Sequence, residues 1–192
     1  MRVASTITAF AFGAFVLTAS VAFAQSHYHG RHSKPSVQPY VGQQTREVAS
    51  PSAQEQKDFL DGRGMGLARS AELNGHPGPM HVLELAEELK LTPEQRQLVQ
   101  AAFERMKAKA KALGEAYIKA EKAVDQTFKS GTADATEVAA RVAEANRLLG
   151  EVRLSHLTAH IEITPVLTPE QRARYAELRG YGGGAGHQQQ KH

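Results

Sequence analysis

No cysteine occurs anywhere in the 192 residues. That removes disulfides, thiolate metal sites and thiol nucleophiles at once, and leaves stability to packing alone. Tryptophan is also missing, and aromatic residues make up only 6% of the chain, so a core must be built mainly from aliphatic side chains and alanine. Beyond the first two dozen residues, no apolar run approaches the ~20 residues that a membrane-spanning helix needs. Charge of one sign is lacking too. The 23 Lys and Arg stand against 20 Asp and Glu, a near balance with little long-range field for capturing nucleic acid. Enzyme signatures are equally scarce. Gly62, Gly64 and Gly66 follow no strand and precede no Gly-Lys-Ser/Thr, there is no HExxH, and no carboxylate pair sits beside a nucleophile. The sequence is read as non-enzymatic.

The first 24 residues read as a secretory leader. Arg2 gives a positive start, residues 7–21 are apolar, and Ala22-Phe23-Ala24 is the small-x-small pattern at which signal peptidase cuts. The expected localisation is therefore periplasmic, with no membrane insertion of the mature chain. Residues 25–61 are polar and contain Pro35, Pro39 and Pro51. With too little apolar surface to offset their ordering entropy, they are expected to be a disordered lead-in. Residues 182–192 read as a flexible Gly/His/Gln tail. The ordered domain is expected over residues 62–181.

Within that domain the composition is helix-forming. Residues 65–73 and 80–89 read as short helices separated by His76-Pro77-Gly78-Pro79. Leu91-Thr92-Pro93-Glu94-Gln95 then writes a helix start in chemistry. Thr92 is the N-cap, Pro93 takes the first helical position where its missing N–H costs nothing, and Gln95 reaches back to the Thr92 backbone. The same five letters return at Leu167-Thr168-Pro169-Glu170-Gln171. From Pro93 to about residue 128, apolar residues step by fours and threes: Val99, Phe103, Met106, Ala110, Leu113, Tyr117, Ala120, Val124. After Ser130-Gly131, a capping signal at Asp134 opens a second long helix with the same period: Val138, Val142, Ala145, Leu149, Val152, His156, Ala159, Ile163. Two long helices joined by so short a turn must lie antiparallel. The fold class is all-α: a hooked four-helix hairpin of two long antiparallel helices, each flanked by a short helix. A homodimer is expected to cover what the short helices leave exposed.

The paired LTPEQ segments resemble the LTxxQ-motif periplasmic stress proteins, a group holding Spy/CpxP-type chaperones and CnrX/ZraP-type heavy-metal sensors. The run Gly64-Met65-Gly66-Leu67-Ala68, followed by Ala71-Glu72-Leu73-Asn74-Gly75 and Pro77-Gly78-Pro79, resembles the heavy-metal-sensor branch. The resemblance implies the hooked hairpin already given by spacing. It also implies metal ligands drawn from the first short segment and from the helix before the second LTxxQ. This chain departs from that pattern in carrying His rather than Met as the second member of the later pair.

Nine histidines occur. His27, His29, His32, His187 and His192 lie in the terminal segments, either as loose metal donors or as plain polar residues. His76, His81, His156 and His160 lie in the domain. His156 and His160 stand four apart on one helix face, a spacing that suits a shared metal ion. His156 also occupies a seam position, and the alternative is a satisfied core histidine. Antiparallel packing brings His76 and His81 toward the same end, with Met106, Glu84 or Glu162 as further donors. Imidazole with carboxylate suits zinc, copper, nickel or cobalt. No organic cofactor is indicated. Three functions stay open at this point: a metal-binding protein for heavy-metal sensing, buffering or resistance, an ATP-independent holdase of unfolded client proteins, and an inhibitor of an inner-membrane signalling partner. Arg105, Lys107, Lys109, Lys111, Lys119 and Lys122 form either a solvated face or a basic cradle for such clients.

Overall fold

A computed structural model describes residues 38–181. The expected leader, the first part of the lead-in and the tail lie outside the described residues. Those described contain six α-helices, one 3-10 turn and no strand: α1 (Ala53–Leu60), α2 (Arg69–Glu72), α3 (Pro79–Glu84), α4 (Pro93–Lys129), α5 (Ala135–Ile163), the turn Thr164–Val166, and α6 (Pro169–Leu178). No helix among them is long and apolar enough to cross a membrane.

The long helices begin where side chains can serve as caps. Thr92 accepts from Gln95 N while Gln95 returns a bond to the Thr92 backbone, and Pro93 opens α4. Thr168, Gln171 and Pro169 repeat the arrangement for α6. Asp134 caps α5 by accepting from the Thr136 and Glu137 amides. α4 and α5 pack along each other in antiparallel fashion: Arg105, early in α4, ion-pairs with Glu162 at the end of α5. The seam buries Val99, Ala102, Ala110 and Tyr117 from α4 and Ala145, Val152, His156, Ala159 and Ile163 from α5. Toward the turn it opens. Val142, expected in the seam, is 40% exposed.

The two LTPEQ glutamines do more than cap. Their side-chain amides form a reciprocal pair, each Nε2 donating to the other's Oε1 at 2.9 Å. Gln95 Nε2 also donates to Val166 O at 2.8 Å, and Gln171 Nε2 to Leu89 O at 3.2 Å. The repeated motif is thus a clasp that ties the start of α4 to the start of α6.

The segments flanking the hairpin differ from expectation. Three short helices precede α4, where two were expected. The helix expected over residues 65–73 is helical only at Arg69–Glu72, and the one expected over residues 80–89 runs Pro79–Glu84 before breaking into turns. The lead-in expected to be disordered through residue 61 instead carries α1, opened by a Ser52–Glu55 capping box. Phe59 explains why. It is buried at 5% exposure and meets Tyr117 edge-on, with ring centroids 4.8 Å apart, burial that anchors the short amphipathic helix α1 against α4. α1 comes so close to α4 that a β-carbon at Gly114 would lie 2.5 Å from the Phe59 carbonyl oxygen. Upstream, Val48 is buried and Glu47 pairs with Lys122.

Two hydrophobic clusters result. One, at the open end, joins Val82, Leu89, Val99, Ile163, Leu167 and Tyr175. The other, at mid-hairpin, joins Phe59, Tyr117, Ala145, Leu148 and Val152. Between them, along residues 103–110 of α4 and 155–160 of α5, the buried residues are Ala110 and Ala159 with the polar Ser155, His156 and His160.

Candidate metal centre

A cavity of about 760 Å³ occupies this gap. Residues 61–66, the start of α3, the middle of α4 and the end of α5 form its walls, and His156, His160, His81, Glu72 and Met106 are among its lining residues.

His156 stands at a seam position of α5 and is only 4% exposed. Its Nε2 is buried with no hydrogen-bond partner. Burial first, and then the neighbouring His160, hold its pKa below the ordinary 6.5, against the opposing pull of a hydrogen bond to the Arg63 backbone. The ring is therefore neutral at physiological pH, the form in which imidazole can ligate. His160, one turn on, places Nδ1 2.8 Å from the His76 carbonyl oxygen. A carbonyl only accepts, so Nδ1 is the donor, and the neutral form of this tautomer keeps its lone pair on Nε2. A β-carbon at Gly78 would stand 3.2 Å from that Nε2. Glycine at 78 leaves this nitrogen room that any other residue would narrow.

Glu72, at the end of α2, is the carboxylate that sequence reasoning missed. Its Oε1 accepts from the Tyr175 hydroxyl and lies 3.5 Å from Arg179 Nε. Its Oε2 is buried without a hydrogen-bond partner and lies 3.8 Å from His160 Nδ1. Burial, then the bond to Glu72, push the Tyr175 hydroxyl far above the usual phenol range, so it remains a donor. The Ala71-Glu72-Leu73-Asn74-Gly75 run quoted above held the signal, but a helix over residues 65–73 gave no reason to single out Glu72 within it.

Of the four folded histidines expected at one end, three line the cavity. His76 does not: its ring Nδ1 lies 3.0 Å from Thr164 Oγ1, and it serves the site through its backbone carbonyl. His81 lies at the rim with Nδ1 2.9 Å from Glu84. Neither further carboxylate expected as a donor lines the cavity. Glu84 is engaged by His81, and Glu162 by Arg105. Among the described residues no three His, Asp or Glu side chains are gathered closely enough to hold an ion by themselves.

The depressed pKa of His156 has a stability consequence. Below about 6.5 the unfolded chain binds a proton there that the folded chain resists, so stability is fully present above that pH and declines as pH falls beneath it. The thermal midpoint of metal-free protein should drop between about pH 7.5 and pH 5.5, with His156→Leu flattening the slope. An unchanged slope in that variant would place the pH dependence elsewhere.

Comparison with curated proteins and with solved structures gives no match. The LTXXQ motif family protein description matches residues 78–179, a span that opens at Gly78 beside the His160 ring, includes both LTPEQ segments and ends just after α6. With both motif glutamines joined in the clasp and the long hairpin between them, this chain belongs to the LTXXQ motif family.

Proposed function

We propose that this chain is a periplasmic, non-enzymatic stress protein that binds a transition metal ion between its two cores, and so buffers the metal or reports it to an inner-membrane signalling partner. One observation carries the proposal: the buried, neutral His156 presents an unpartnered Nε2 at a cavity shared with His160 and Glu72. A hydrophobic residue at that seam position would stabilise the hairpin more, because an unsatisfied buried polar atom costs about 1–3 kcal/mol. His156 Nε2 and Glu72 Oε2 are buried without hydrogen-bond partners, and the ion would be held by the His156 and His160 imidazoles, with Glu72 and His81 on the cavity wall. The export leader and family membership support the compartment.

A metal that binds only the folded arrangement raises stability by about 2.7 kcal/mol at a hundredfold excess over its dissociation constant, or roughly 5–10 °C in melting temperature. Zinc, copper, nickel and cobalt should be tested in turn. His156→Ala with His160→Ala should abolish the shift, whereas replacing the five terminal histidines should leave most of it. If no ion moves the melting temperature of the purified protein more than that of the double variant, His156 is a core histidine and the metal assignment is wrong.

The holdase alternative is supported by exposed apolar and basic side chains. Leu154 and Ile161, seven apart on α5, are 51% and 63% exposed, and Lys107 and Lys111 border the cavity. Aggregation of a denatured client in the absence of ATP distinguishes the two functions.

A further inference from the structure

Not all the donors around the cavity are nitrogen or oxygen. Apart from Met1 the chain has three methionines, Met65, Met80 and Met106, and all three line this one cavity. They arrive from three separate segments: the loop before α2, the first turn of α3 and the middle of α4. Methionine used as core filler is buried, yet Met65 and Met80 are 38% and 44% exposed. Met65 also has φ +47, a left-handed conformation that costs a residue with a β-carbon about 1–2 kcal/mol. Position matches the histidines. Gly64, next to Met65, packs against the His156 ring, and Gly78, two residues before Met80, packs against the His160 ring. Each imidazole is covered by a segment that also delivers a thioether.

We infer that the ion this site prefers is copper(I), held by the His156 and His160 imidazoles with one or more of these thioethers. The inference rests on the metal-binding proposal and specifies its ion. Thioether sulfur is a soft, uncharged donor that selects copper(I) and adds little for zinc, nickel or cobalt. Charge points the same way. Arg63, Arg69, Lys107, Lys111 and Arg179 line the cavity against two carboxylates, Asp61 and Glu72, and a monovalent ion meets half the net repulsion that a divalent ion meets. A site built for a divalent ion would be expected to carry an excess of carboxylates instead.

The test replaces all three methionines with leucine, which keeps their bulk and removes only sulfur. Copper(I) affinity is measured anaerobically against a chromophoric copper(I) chelator, and zinc affinity against a zinc indicator, on the same preparations. The M65L/M80L/M106L variant should lose at least about tenfold in copper(I) affinity while its zinc affinity stays within about threefold. X-ray absorption at the copper edge should show sulfur bonded to the metal in the wild type and only lighter atoms in the variant. Unchanged copper(I) affinity in the variant overturns the inference, as does an equal loss for both ions, which would mark the methionines as structural. Wild-type protein that binds neither ion more tightly than His156→Ala/His160→Ala defeats the metal-binding proposal itself, a separate outcome.

Discussion

Replacing Gly114 with alanine should destabilise the protein by about 2 kcal/mol or more, although the same change in an open helix stabilises. The added β-carbon would sit 2.5 Å from the Phe59 carbonyl oxygen and 3.1 Å from the Phe59 β-carbon. Because the obstacle is backbone, it cannot rotate away. Helix propensity returns about 1 kcal/mol. Overpacking costs about 1–3 kcal/mol, and if α1 lifts off, the burial of Phe59, about 1.5–3 kcal/mol, is lost as well. The clash therefore wins. Gly150 on α5 is the matched control, since a β-carbon there meets nothing within 4 Å, and Gly150→Ala should be neutral or stabilising. Limited proteolysis should cut residues 53–60 in Gly114→Ala while α4 and α5 survive. If the two alanine variants melt alike, α1 does not pack on α4 as described.

Gln95→Glu should lower stability by about 2 kcal/mol, even though a capping box accepts glutamate as readily as glutamine. The cap needs only an acceptor for the Thr92 amide. The clasp needs a donor: Gln95 Nε2 gives hydrogen bonds to Val166 O and Gln171 Oε1, and a carboxylate would turn oxygen toward both. Attraction between the new charge and the N-terminus of α4 recovers about 0.3–1 kcal/mol, less than the loss. Thr92→Ala, which removes the cap alone, should cost about 1 kcal/mol. Thermal unfolding of the two variants side by side separates the roles. If Gln95→Glu is no worse than Thr92→Ala, the glutamine is merely a cap. The same logic explains why the motif specifies glutamine at its last position.

The hairpin was legible because its signals are local. Thr92, Pro93 and Gln95 mark a start through bonds made within one turn, and the spacing from Val99 to Tyr117 reports a face irrespective of what covers it. The clasp was not legible, because Gln95 meets Gln171 across 76 residues and each looks complete as a cap. Phe59 was lost for the same reason: one aromatic in a polar stretch orders nothing until Tyr117 is beside it. At the candidate site, the i, i+4 spacing put His156 and His160 on one face, and both line the cavity, since a helix fixes that geometry. The carboxylate that lines the cavity is Glu72 rather than the expected Glu84 or Glu162, a difference set by distant partners, since Tyr175, His81 and Arg105 engage the three in turn. The His76 ring, expected among the donors, does not line the cavity, and its carbonyl meets the His160 ring instead, a distinction that side-chain identity does not encode.

The amide clasp also bears on how the chain regains its structure once lost. A disulfide joining points so far apart would act chiefly on the unfolded ensemble, by shortening the loop that must close. The Gln95–Gln171 pair restrains only the folded state and disappears on unfolding. It has no reduction potential, offers no wrong partner for exchange, and asks for no oxidant. Reductant should therefore leave the melting curve of this cysteine-free protein unmoved, and refolding should need neither an oxidase nor an isomerase of disulfides.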